Sequence, residues 1–150
     1  MQIKIAHLIS PCLKAGALRC GSVIAWLSAK SSLQAEQKYL DILEAAGKKY
    51  NINPLLLLAI TGQEQSFVPS HWPNAEQMLK NPWNVYGSWQ DYAPGYERAA
   101  MIAARTVNCL SSGCPPGMNP IRWINNRYAE DTGWWKGVSI FFDQLLKVGD

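Results

Sequence analysis

A chain of 150 residues is long enough for one domain with its own core and too short for two of ordinary size. Its 48% hydrophobic and 17% charged residues exclude an intrinsically disordered chain. The formal charge of +3 comes from scattered Lys and Arg residues, and without a basic stripe or a nucleic-acid motif no nucleic-acid partner is expected.

Residues 1–35 carry Lys4, Lys14, Arg19 and Lys30 and no acid. Two readings of this segment stand side by side. CGSVIAWLSA behind its basic flank fits an export signal, with Ala29 or Ala35 at the cleavage point and a destination in the cell envelope or outside the cell. The other reading is an amphipathic first helix, broken by Pro11 and Gly16, that packs on the domain. No run reaches the roughly 18 apolar residues that a membrane span needs.

From Glu36 to Tyr50, the spacing of Tyr39, Leu40, Leu43 and Ala46 predicts a surface helix with one buried stripe. NIN breaks it. Asn53 followed by Pro54 is a helix start, a side-chain cap with proline in the first turn. The helix it opens, to about Phe67, is apolar nearly all round and therefore central. Four prolines and two glycines between Val68 and Gly95 rule out a long helix there, though AEQMLK can form a turn or two and VYGSW reads as a short strand or hairpin. Helical periodicity returns from Tyr96 to Leu110, with Ala99, Ala103 and Val107 inward. Asn119 with Pro120 opens a further helix, and Trp134, Val138, Phe141 and Leu145 lie in register on the last. The predicted fold is mainly α, five to six helices with a small irregular or hairpin lobe after the second.

Cys109 and Cys114 bracket the turn-rich CLSSGC, which fits a loop-closing disulfide in an oxidising compartment. The only histidines, His7 and His71, stand at no ligand spacing from the cysteines, which argues against zinc. A cysteine peptidase would have only His71 to activate its thiolate.

Among the 11 carboxylates most have structural explanations. Glu36, Asp41, Glu44, Asp143 and Asp150 read as solvated charges, Asp91 and Glu97 as helix-start acids, and Glu130 and Asp131 as turn caps. Glu64 differs, because it closes the greasy run PLLLLAITGQ. Apolar surroundings and the negative end of a helix dipole both disfavour a charged carboxylate, and a carboxyl kept protonated is what a general acid for glycosidic cleavage needs. Trp72, Trp83, Tyr86, Trp89 and Tyr92 crowd the following lobe, where flat rings can stack on sugars.

INPLLLLAITGQEQSFVPS resembles the segment around the catalytic glutamate of lysozyme-like peptidoglycan-cleaving enzymes. NPWNVYG, YAPGYERAAMIAARTV and RYAEDTGWWKGVSIFFDQL follow in the order of the endo-β-N-acetylglucosaminidase branch, over residues 36–147. This resemblance implies a glycan-cleaving domain over residues 36–150, Glu64 as general acid, and Tyr128 on the tyrosine that lines the cleft opposite it. A second carboxylate, where the branch uses one, comes from the irregular lobe, which offers Glu76 and Asp91. Ser66 joins the lobe's aromatics as a substrate-contacting candidate. The chain departs from the branch at Gln65, where a small polar residue is usual, and at Asn84, where an early glycine follows the aromatic. The lytic transglycosylases are the second branch, although their segments resembling GLMQ and YNxG are missing. A non-catalytic glycan-binding domain of the same fold is the alternative outside enzymes. Peptidoglycan strands are the implied partner of a monomer, and no metal or organic cofactor is implied.

Overall fold

The computed structural model describes residues 17–149, with side-chain surroundings for residues 21–148. His7, Pro11, Cys12, Gly16 and the side chain of Cys20 lie outside the described residues. Seven helices follow in order among those described: α1 (Ala17–Ser28), α2 (Gln37–Tyr50), α3 (Pro54–Gln65), α4 (Ala75–Met78), α5 (Tyr96–Ser111), α6 (Pro120–Tyr128) and α7 (Trp134–Gly149). The chain is mainly helical, as its periodicity predicts.

Helix α3 is the axis of the fold. It starts where the sequence says it should, with Asn53 extended and its side-chain oxygen accepting from Leu55 N at 2.9 Å. Every residue from Pro54 to Gly62 is buried. Each of Leu55, Leu56, Leu57 and Leu58 contributes roughly 2 kcal/mol by leaving water. Helix α7 packs most extensively along α3, with α2 and α5 also against it; α1 lies on α7 and α2, and α6 joins α5 to α7. Val23 and Leu27 of α1 belong to the same buried core, so α1 packs on the domain. On α7, Trp134, Val138 and Leu145 are buried as expected, while Phe142 takes the deep position and Phe141 packs half-buried against Phe67.

The expected hairpin at VYGSW is not formed. Asn84, Tyr86 and Gly87 all have positive φ (54°, 56° and 112°), which turns the backbone and prevents an extended run. Among the described residues the only ladder pairing is an isolated bridge between Ser32 and Pro69.

The exit from α3 is unusual. Ser66, Phe67 and Val68 adopt φ of 50°, 64° and 57° in succession, a left-handed run that costs a β-branched residue such as Val68 about 1–3 kcal/mol. A buried polar network holds it. The Gln34 side chain donates to Thr61 Oγ1 (2.9 Å) and Phe67 O (3.4 Å) and accepts from Tyr96 OH (2.7 Å). Ser32 Oγ also donates to Phe67 O, and Leu33 N donates to Val68 O at 3.0 Å. The hydroxyl of Tyr96 is held well above the ordinary phenol value, first by burial and then by Tyr39.

Candidate active site around Glu64

Glu64 lies on the last turn of α3, half-buried, where the buried stretch of the helix gives way to its exposed end. The apolar enclosure that the sequence suggests is therefore incomplete. Both carboxylate oxygens accept from neutral donors. Oε2 takes Asn84 Nδ2–H at 2.9 Å, and Oε1 takes Trp134 Nε1–H at 3.0 Å. These partners come from a loop 20 residues on and from a helix 70 residues on. They are an amide and an indole rather than a Lys or Arg, so they orient the carboxyl without adding a compensating charge.

Each donor is itself fixed. Asn81, wholly buried, donates to Val85 O (3.0 Å), Gly87 O (3.3 Å) and Tyr92 O (2.8 Å) and accepts from Val85 N (3.1 Å). Those bonds clamp the loop that carries Asn84. The Asn84 carbonyl oxygen accepts from Gln65 Nε2 at 3.0 Å, which sets the orientation of its amide. The left-handed backbone at Asn84 suits asparagine, which tolerates that region better than most side chains.

Trp134 is placed by a second clamp. Buried Asn125 donates to Asp131 O (2.9 Å) and Ala129 O (3.4 Å) and accepts from Trp135 N (3.1 Å). Asp131 accepts from Gly133 N at 2.8 Å, so it serves as the turn cap expected of it, at the entry to α7. The Trp134 ring stacks on Tyr128, with centroids 4.8 Å apart and planes at 24°. Tyr128 OH donates to Trp83 O at 2.8 Å. Burial, and then the neighbouring Glu64 carboxylate, hold that phenol well above its ordinary value, so it stays neutral.

Tyr128 is thus brought beside Glu64, while other candidates fall elsewhere. Trp83 is wholly buried, its indole N–H donating to Leu57 O at 2.8 Å, so it has no face for a sugar and is a core residue. Tyr86 is 72% exposed, with Tyr92 5.8 Å from it by ring centroids. Trp89 leans on the small cluster of Val68, Ala75 and Met78. Ser66 is exposed and closes α3 through its backbone N–H to Gly62 O and Thr61 O. Asp91 is exposed and accepts from Ser88 Oγ at 3.4 Å. Glu76, on α4, lines a separate cavity of about 410 Å³ with Leu33, Glu36 and Lys80. Neither acid is hydrogen-bonded to Glu64, and neither lines the cavity next to it. Cys109 and Cys114 are free thiols, contrary to the expected disulfide. Cys114 turns inward, its Sγ 3.7 Å from Pro115 O and Met118 O, while Cys109 is exposed on α5.

A cavity of about 130 Å³ is lined by Asn84 and Tyr128, the neighbours of Glu64, together with Val85, Tyr86, Thr106, Leu110 and Arg127; Glu64 itself does not line it. Among the described residues no group of three His, Cys, Asp or Glu side chains is arranged to hold a metal. No helix of the described residues is long and apolar enough to cross a membrane. Comparison with protein-family models, characterised proteins and solved structures returned no match.

Proposed function

We propose that this chain has a lysozyme-like fold and cleaves β-1,4 glycosidic bonds in peptidoglycan strands as an endo-β-N-acetylglucosaminidase, with Glu64 as general acid. One observation carries the reading. The half-buried Glu64 carboxyl ends a buried helix between two neutral N–H donors, Asn84 and Trp134, with Tyr128 as a neighbour. A sugar whose glycosidic oxygen approaches Glu64 would receive its proton there, and the C–O electron pair would leave with the oxygen. The cavity between the Asn84 loop and Tyr128 offers room for a substituent of the sugar, such as an acetamido group. Exposed Tyr86 supplies a ring for stacking on the glycan.

A second reading is lytic transglycosylation, which needs no second carboxylate; neither Asp91 nor Glu76 is hydrogen-bonded to Glu64. An inverting hydrolase needs a base about 6.5–9.5 Å from the acid to activate water, whereas attack by the sugar's own acetamido or hydroxyl oxygen does without one. Glu64→Gln preserves shape and removes the acid. Cleavage of purified cell-wall glycan should fall at least 100-fold, and equal clearing by variant and wild type would sink the assignment. Mass spectrometry of the products separates the two chemistries: reducing-end N-acetylglucosamine marks hydrolysis, and anhydro-muramic ends mark transglycosylation.

A further inference from the structure

A general acid spends part of each cycle protonated and part ionised, and its hydrogen-bond partners must suit both states. Trp134 Nε1–H can only donate, so Oε1 of Glu64 is an acceptor in both. The proton therefore belongs on Oε2, the oxygen facing Asn84. Asn84 is a primary amide, and its other end meets Gln65, a second primary amide, at 3.0 Å. Rotating both amides by half a turn about their last side-chain bonds reverses every donor and acceptor in this chain without moving the backbone.

We propose that Gln65, Asn84 and Glu64 form a reversible amide relay that satisfies both protonation states of Glu64, with Asn84 and Gln65 as positioning residues. The proposal rests on the reading of Glu64 as a general acid. In the ionised state Gln65 Nε2 donates to Asn84 Oδ1, and Asn84 Nδ2 donates to the Oε2 carboxylate oxygen, the arrangement described above. In the protonated state Oε2–H donates to Asn84 Oδ1, and Asn84 Nδ2 donates to Gln65 Oε1. When Oε2–H turns from Asn84 Oδ1 and gives its proton to the glycosidic oxygen, the C–O bond breaks with its electron pair on that oxygen, and the anomeric carbon bonds instead to water or to an oxygen of the sugar itself. Both amides then turn, and the carboxylate left behind gains a donor. A proton from solvent, with the amides turning back, restores the protonated state.

The titratable and charged groups around the relay are Tyr128 from α6 and, across the cavity, Tyr86 and Arg127. Tyr128 is held neutral by burial, so it adds no step in the acid range.

The test follows side-chain amide and carboxyl signals of the full-length, isotope-labelled protein by NMR from about pH 3 to pH 8. The Asn84 and Gln65 amides are expected to move together with the Glu64 carboxyl carbon, at one midpoint. Glu64→Gln should abolish both responses, and Asn84→Leu should abolish the response at Gln65 while Glu64 still titrates. A Gln65 amide that stays still while Glu64 titrates overturns the relay, as does a Gln65 response that survives in Asn84→Leu. Should Asn84→Leu fail to fold, Glu64→Gln alone decides, since amide responses persisting in it would refute the proposal. None of these signals requires glycan cleavage, so an inactive protein with a working relay, or an active one without it, separates this proposal from the functional reading.

Discussion

Gly62→Ala gives the strictest check on the packing behind Glu64, because two effects of opposite sign meet there. Helix propensity alone makes alanine about 1 kcal/mol better than glycine inside α3. A Cβ at position 62, however, would stand 2.2, 2.5 and 2.8 Å from Cζ, Cε2 and Cε1 of Phe67. That ring is 2% exposed and has no free space to enter. Trp26 and Phe141 pack against it with centroids at 5.1 and 4.9 Å, both nearly perpendicular. Its backbone is held by Thr61, Gln34 and Ser32. Expelling a buried phenylalanine costs about 3–5 kcal/mol, so after the propensity gain the variant should lose about 2–4 kcal/mol. Urea unfolding measures that loss directly, and a fall in Tm of roughly 6–12 °C should accompany it. A variant as stable as wild type would refute the reasoning. The double variant Gly62→Ala/Phe67→Ala should be more stable than the sum of its parts by at least about 1 kcal/mol, since the clash is then absent.

Three further outcomes follow from the site. Trp134→Phe removes the fixed donor to Glu64 while keeping an aromatic ring on Tyr128; glycan cleavage should drop about 10-fold to 100-fold, and unchanged kinetics would show that the indole N–H orients nothing. Asn81→Ala breaks four hydrogen bonds at a wholly buried position and should cost about 2–4 kcal/mol in denaturant unfolding, with the Asn84 loop the first segment to exchange amide hydrogens. Tyr96 and Tyr128 both titrate higher in the folded state than unfolded, so the stability they contribute is intact below about pH 10 and is lost as pH rises beyond it. Urea midpoints between about pH 8 and pH 11 should fall steeply in wild type and less steeply in Tyr96→Phe/Tyr128→Phe.

What could be read from the sequence was local. The Asn53–Pro54 and Asn119–Pro120 starts both form side-chain caps, because their signal lies within three residues. The inward faces of α2 and α5 follow from spacing alone, with Leu40, Leu43, Ala99, Ala103 and Val107 all buried. Glu64 stood out because an acid after an all-apolar helix has few structural reasons to be there. Its partners did not. Periodicity put Trp134 in the core, where it indeed is, and said nothing of where its N–H would aim. Asn84 stands just before the VYGSW segment that reads as a strand or hairpin, and the loop that carries its left-handed backbone is held by the Asn81 clamp. Gln34 lies in a segment whose two readings concerned export and packing, and neither reached its bonds to Thr61 and Tyr96, 27 and 62 residues away.

The two donors to Glu64 belong to parts of the molecule with different freedom. Asn84 rides on a loop, whereas Trp134 begins α7, which crosses α3 so closely that a Cβ on Gly137 would lie 1.8 Å from Oε1 of Gln63. Gln63 immediately precedes Glu64, and Gly137 sits one turn after Trp134, so the crossing fixes the register of acid and indole together. The indole is therefore fixed by a helix crossing and the amide by side-chain bonds from Asn81 to its loop, so a change at Asn81 would reach one donor to Glu64 and leave the other in place.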